Sequence, residues 1–278
     1  MNGLGWLRDL DRRWLFLAVA LLVVVPLMTG FHVAPVEPGH RAKGFYDAIQ
    51  AVPPGSTVLL AGDYDPGTVA ENYPAHLAAV RHLMSRDVKI VAIALYPGGP
   101  PLTDEVLAIG AAEYGKQVGK DYVNLGYKAG NELVMSRMGL SIPETFPVDR
   151  RGVAVSEIPV MQGIKNFNDF KLLVNISAGY PGTKEWVQQV VSRYHIPMVA
   201  AVTAVSAPEY YPYLQTRQLL GLLGGMAGAA EYEALVKHPA LAMRGMDAQS
   251  LAHLFIALLI ILGNLANPPK RDSGKRGH

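Results

Sequence analysis

Two aspartates, one residue apart, close an apolar run in LLAGDYDPGTV, residues 59–69. Carboxylates at that spacing at the end of a strand can be a phosphotransfer nucleophile and its acid/base partner. Asp63 would attack and Asp65 would move the proton. The same oxygens could hold a hard cation. The bland alternative is local: Asp65-Pro66-Gly67 has turn chemistry, and Asp63 can accept hydrogen bonds from nearby backbone amides.

The stretch VLLAGDYDPGTV resembles the first motif of the haloacid dehalogenase superfamily, an apolar strand followed by Asp-x-Asp-Gly-Thr. The resemblance implies Asp63 as nucleophile, Asp65 as acid/base and Mg²⁺ to neutralise the phosphate; outside that reading no cofactor is expected. LLVNIS (172–177) resembles that family's second motif, which implies Ser177 as a phosphate ligand. The chain departs from the pattern in two places. Pro66 stands between Asp65 and Gly67, and no acidic pair follows Ser177, where Glu185 is alone.

Other constellations are thinner. Ser177 and Ser206 lack a Gly-x-Ser-x-Gly elbow, and His76, His82 and His195 fall in helical stretches, so a serine triad is not expected. No Gly-x-Gly-x-x-Gly follows the first strand, which argues against a dinucleotide cofactor. Arg150-Arg151 could clamp an anion or simply be solvated. With no cysteines, thiol catalysis and thiolate metal sites are excluded. A net charge of +2 gives no reason to expect nucleic acid.

The elements that must position these groups read as α/β. Apolar strands are expected at 56–63, 88–96, 120–127, 171–180 and 196–205, with helices at 74–87, 102–117, 182–195 and 213–236. Continuous apolar strands alternating with helices give a Rossmann-like, mainly parallel sheet flanked by helices. Residues 139–170 read as a long irregular insertion. The strand ends share turn chemistry: Tyr64 with Asp65-Pro66-Gly67, Tyr96 with Pro97-Gly98-Gly99, Tyr127 before Lys128-Ala129-Gly130, and Tyr180 with Pro181-Gly182. With Ser177, Glu209 and Tyr210 they would line the carboxyl edge of the sheet, where open α/β sheets bind ligands. In the expected helix 213–236, Gly221, Gly225 and Ala229 recur every four residues, as do Gly224 and Gly228. Small residues at that spacing make a flat face for close helix packing, within the domain or against another subunit.

Only 17% of the residues are charged, and the apolar excess sits at the two ends. Trp14–Phe31 carries no charge and is long enough to span a bilayer, read as an uncleaved anchor rather than a signal peptide. Ser250–Ala266 repeats the feature. Arg8, Arg12 and Arg13 precede the first span; Lys270, Arg271, Lys275 and Arg276 follow the second. Positive flanks stay cytoplasmic. The expected order is a cytoplasmic 1–13, a span at 14–31, an extracytoplasmic domain at 35–245, a span at 250–266 and a cytoplasmic tail at 267–278. With no complete catalytic set, the expectation is a non-enzymatic structural or accessory subunit in the cell membrane. Its partners would be the lipid bilayer and either copies of itself or other membrane subunits. A membrane-tethered, metal-dependent hydrolase using Asp63 and Asp65, and a small-ligand sensor at the Tyr-lined edge, are the alternatives.

Overall fold

A computed structural model describes residues 11–30 and 36–266. The basic flanks at Arg8, Lys270, Arg271, Lys275 and Arg276 lie outside the described residues. The chain divides into two compact units, one formed by the two terminal segments and one by residues 35–243.

In the terminal unit, α1 (Arg12–Thr29) starts on Asp11, whose side chain accepts from the Arg13 backbone N–H, and stops at Gly30 in the left-handed region. The second long helix, α11, runs Leu241–Ala266. Both are long and apolar enough to cross a membrane, and hardly any of either is buried within the chain. The chain therefore has two candidate membrane-spanning helices, one near each end. The second starts nine residues earlier than the apolar stretch suggested, through the more polar Leu241–Gln249.

The second unit begins with α2 (His40–Gln50), which the sequence reading lacked. Its Ala42, Phe45 and Ile49 are buried at helical spacing. Then follow β1 (Thr57–Asp63), α3 (Val69–Ser85), β2 (Lys89–Ala94), α4 (Gly99–Tyr114) and β3 (Tyr122–Tyr127). After β3 come α5 (Asn131–Leu140) and the one-turn α6 (Ile142–Thr145). The remaining elements are β4 (Leu173–Ser177), α7 (Thr183–Trp186), a π turn (Val187–Val191), α8 (Ser192–Tyr194), β5 (Met198–Val202), α9 (Tyr211–Gln215), β6 (Gly221–Gly224) and α10 (Gly225–Leu235).

All six strands are parallel, in the order β3-β2-β1-β4-β5-β6. That is the Rossmann-like order, with helices covering the apolar strands. The stretch 139–170 holds the end of α5, the one-turn α6 and three 3-10 turns, and it is no surface excursion. Ile142, Phe146, Val155, Ile158, Met161 and Phe167 are buried in the core it shares with Trp186 and the sheet.

One expectation is corrected. Residues 213–236 are not a continuous helix: α9 ends at Gln215, β6 forms a sixth strand and α10 starts at Gly225. The glycines are therefore not a helical stripe. Gly221 and Gly224 lie in β6, and only Gly225, Gly228 and Ala229 are in α10. Gly221 is needed because α2 crosses it in direct backbone contact. A Cβ on Gly221 would stand 2.0 Å from the Phe45 nitrogen, and one on Gly44 would stand 2.3 Å from the Leu220 carbonyl oxygen. Close approach is the use of these glycines, but between a helix and an edge strand of the same domain.

Candidate functional site

The strand order reverses between β1 and β4, which opens the crevice where such sheets take ligands. Pairing places Asp63 beside Ser177 at the last rung of this junction. The topology thus brings together the two stretches on which the family resemblance rests.

Asp63 is fully buried. One carboxylate oxygen accepts from the Leu95 backbone N–H at 2.6 Å. The other accepts from Asn175 Nδ2 at 3.0 Å and Trp186 Nε1 at 2.7 Å. Burial raises its pKa to about 6, against the pull of these donors, the Leu95 amide first, then Trp186 and Asn175. The network continues inward. Thr183 Oγ1 donates to Asn175 Oδ1 at 2.7 Å, and the Thr183 backbone N–H donates to Ser177 Oγ at 3.1 Å. Asp63, Asn175, Thr183 and Ser177 form one buried chain that ties β1 and β4 to Leu95 just after β2, to the start of α7 and to Trp186 at its end.

Asp65 does different work. Its Oδ1 accepts from the Gly67 N–H at 2.8 Å and caps the 3-10 turn Pro66–Thr68, while its Oδ2 accepts from Tyr96 Oη at 3.2 Å. The two carboxylates share no hydrogen-bond partner. Asp63 has no exposed surface on which to meet a phosphoryl group, and Ser177 is also buried. Among the described residues, no three His, Asp or Glu side chains cluster as metal ligands.

The tyrosines of the strand-end turns separate into two groups. Tyr64 is fully buried and pairs with His76 Nδ1 at 3.0 Å, and Tyr210 is buried against Tyr213. They belong to the core and not to a ligand rim, since packing on both sides leaves only their polar tips to be satisfied. Tyr127 and Tyr180 are exposed, Tyr96 is half-buried, and Glu209 is exposed. The Tyr180 hydroxyl is held by the Glu132 carboxylate at 2.7 Å. The Arg150-Arg151 pair is engaged too, with Asp104 and Asp149 respectively.

The glycine-rich turn after β6 is the feature that the sequence reading misplaced. A strand-to-helix turn with an open α10 amino end could receive an anion. That place is filled from within. Glu71 Oε2 accepts from the Ala204 N–H at 2.7 Å, and a Cβ on Gly225, whose φ is +57°, would stand 2.6 Å from the same oxygen. The useful signal was the Gly224-Gly225 pair directly after an apolar run, which reads as a strand end as readily as a helix face.

No protein-family model matches the chain, and no curated protein matches it. Among solved structures, it is similar to an α,α-trehalose-phosphate synthase (UDP-forming) from Burkholderia vietnamiensis at 14% identity, with a TM-score of 0.28. The alignment covers 89% of this chain and 51% of that one, so this chain spans about half the length of the synthase. The Rossmann-like assignment rests on the strand order and register.

Proposed function

We propose that the chain is a membrane-anchored α/β domain that acts as a structural or accessory subunit of a membrane protein assembly. Both termini lie in the cytoplasm and the α/β domain lies on the extracytoplasmic side. The observation that carries this reading is the state of the crevice at β1 and β4. Asp63 is buried under three donors, Ser177 holds the start of α7 and Asp65 caps a turn. Groups that could have performed chemistry hold the strands and turns in place instead. The apolar helices near each end of the chain support tethering to a bilayer, and the arginines before α1 support the orientation. The β6 glycines are used inside the domain, so the reading does not depend on self-association.

The test is native mass measurement of the full chain extracted from its own membranes in mild detergent. The expected result is a complex of fixed stoichiometry heavier than the 30.0 kDa chain, without Mg²⁺-dependent turnover of phosphate esters. A lone chain that hydrolyses such esters, and loses the activity on Asp63→Asn, would overturn the reading.

A further inference from the structure

The last strand of the sheet, β6, is an edge, paired with β5 on one side only. Both candidate spans are joined to elements that pack on it. The α2 helix crosses β6, α10 follows it directly, and the two helices also pack on each other. Residues 30–39 connect α1 to α2, and residues 236–240 connect α10 to α11. At an extended rise of roughly 3.5 Å per residue, neither connection can carry this edge more than about 35 Å from the end of a span.

Two concavities, of about 350 and 480 Å³, lie along the same edge and share Arg217 and Leu220. His40 and Arg41, at the start of α2, line the first, and His195, in the turn before β5, lines the second. Among the described residues, no carboxylate lines either. Leu214 is half-buried and Leu220 is 43% exposed, so apolar surface lies between the cations. Arg217 follows α9 in the left-handed region, at a φ of +59°. Its side chain, like those of His40 and His195, makes no ion pair or hydrogen bond with another described residue. Arg41 rests on the Tyr211 ring, 4.7 Å from its centroid, which braces the guanidinium without using its N–H groups. Glu231, which lines a separate concavity with Arg41, accepts from the Gly39 N–H at 2.9 Å. Nor does α2 itself call for these cations. It opens on His40, Arg41 and Lys43 with no acidic residue in its first turn, where the helix dipole favours anions.

We propose that the β6 edge of the domain lies against the bilayer, and that the patch of His40, Arg41, His195 and Arg217 takes anionic lipid headgroups. The guanidinium groups fork onto lipid phosphate, while Leu214 and Leu220 meet the membrane interface. The inference rests on the membrane anchoring proposed above. A partner subunit is the other occupant such a face could have, and the purified chain separates the two because no partner is then present.

The test uses the full chain, purified and reconstituted in vesicles that contain phosphatidylglycerol and a lipid with a nitroxide on its headgroup. The chain has no cysteine, so one introduced cysteine can carry a single bimane fluorophore. Gln215→Cys, exposed at the end of α9, reports on the patch. Val118→Cys, 45% exposed just before the opposite edge strand β3, is the reference. The nitroxide should quench bimane at 215 about threefold more than at 118. That excess should fall by roughly half or more when phosphatidylcholine replaces phosphatidylglycerol or in Arg217→Glu, and should persist in Arg217→Lys. In a chain that still floats with the vesicles after an alkaline carbonate wash, equal quenching at the two positions would overturn the proposal and leave the anchoring intact. So would an excess that ignores both lipid charge and Arg217→Glu, or a loss shared equally by Arg217→Lys and Arg217→Glu. Release of the chain by the wash would overturn the anchoring, and this inference with it.

Discussion

Asp63 shows how one residue can carry the right chemistry in the wrong environment. A carboxylate nucleophile needs an open face, and this one spends its oxygens on Leu95, Asn175 and Trp186. Its role should therefore appear in stability and its pH dependence. Burial raises the folded pKa to about 6 from 3.8, so this group favours the folded state in acid and loses that contribution as pH rises from about 4 to about 6. Two buried histidines of α3 oppose it. Burial holds His76 at about 3 and His82 at about 4, the latter helped by Arg86, against an ordinary 6.5. Both stay neutral when folded and take up a proton on unfolding, so their contribution is lost as pH falls below about 6.5. Between pH 4 and 6 unfolding takes up two protons at the histidines and releases one at Asp63. These groups then give a net slope of about 1.4 kcal/mol per pH unit, with stability rising with pH. Asp63→Asn removes the opposing proton and should double that slope. It should also cost about 1–3 kcal/mol at pH 7, because an amide N–H must face one of the three donors. Denaturant unfolding of the full chain across pH 4–7, followed by circular dichroism, measures both. An unchanged slope and stability together with lost catalysis would instead mark Asp63 as a nucleophile.

Among the elements, β6 and α2 are the pair that the sequence reading lacked, and they depend on each other. Gly221 in β6 lies against the α2 backbone at Gly44 and Phe45. Gly221→Ala would drive a methyl group into main chain that cannot move aside as a side chain can. We expect a loss of about 3 kcal/mol or more, read as a lower unfolding midpoint, with faster amide exchange in both α2 and β6. A mild, local effect would mean that the crossing is looser than it stands. The same pair explains what could be read from the sequence. β1, β2, β4 and β5 are apolar runs between turn signals, and their place needs no tertiary information. β6 is four residues, Gly-Leu-Leu-Gly, and its glycines satisfy a four-residue period as well as a strand. Only the neighbouring backbone decides between the two. For the site, the identities of Asp63, Asp65 and Ser177 were legible, and so was the sheet edge that brings Asp63 and Ser177 together. The burial of Asp63 was not, because it depends on Asn175 and Trp186 approaching from β4 and α7, more than a hundred residues along the chain from Asp63. Tyr64 was misread on a shorter scale: a strand-end tyrosine is exposed or buried according to whether a residue of the next helix, here His76, comes over it.

For the whole molecule, the decisive question is on which side of the bilayer the α/β domain stands. The two candidate spans are separated by the entire domain, so both termini must share one side if both helices cross. The proposed orientation puts that side in the cytoplasm, on the positive-inside rule applied to Arg12 and Arg13 at the start of α1 and to Lys270 and Arg271 in the sequence after α11. The chain has no cysteine, so single cysteines can report their own location without a reduced background. Val205, 85% exposed in the loop after β5, is a suitable reporter for the domain. Ser273 in the basic tail serves for the carboxyl terminus. In intact cells stripped of any outer barrier, a membrane-impermeant maleimide should label Val205→Cys and leave Ser273→Cys untouched until the membrane is opened. Both variants should stay in the membrane pellet after an alkaline carbonate wash. The reverse labelling pattern would place the domain in the cytoplasm and void the extracytoplasmic assignment. Release of the chain by carbonate would remove the spans themselves, and the positive-inside argument with them.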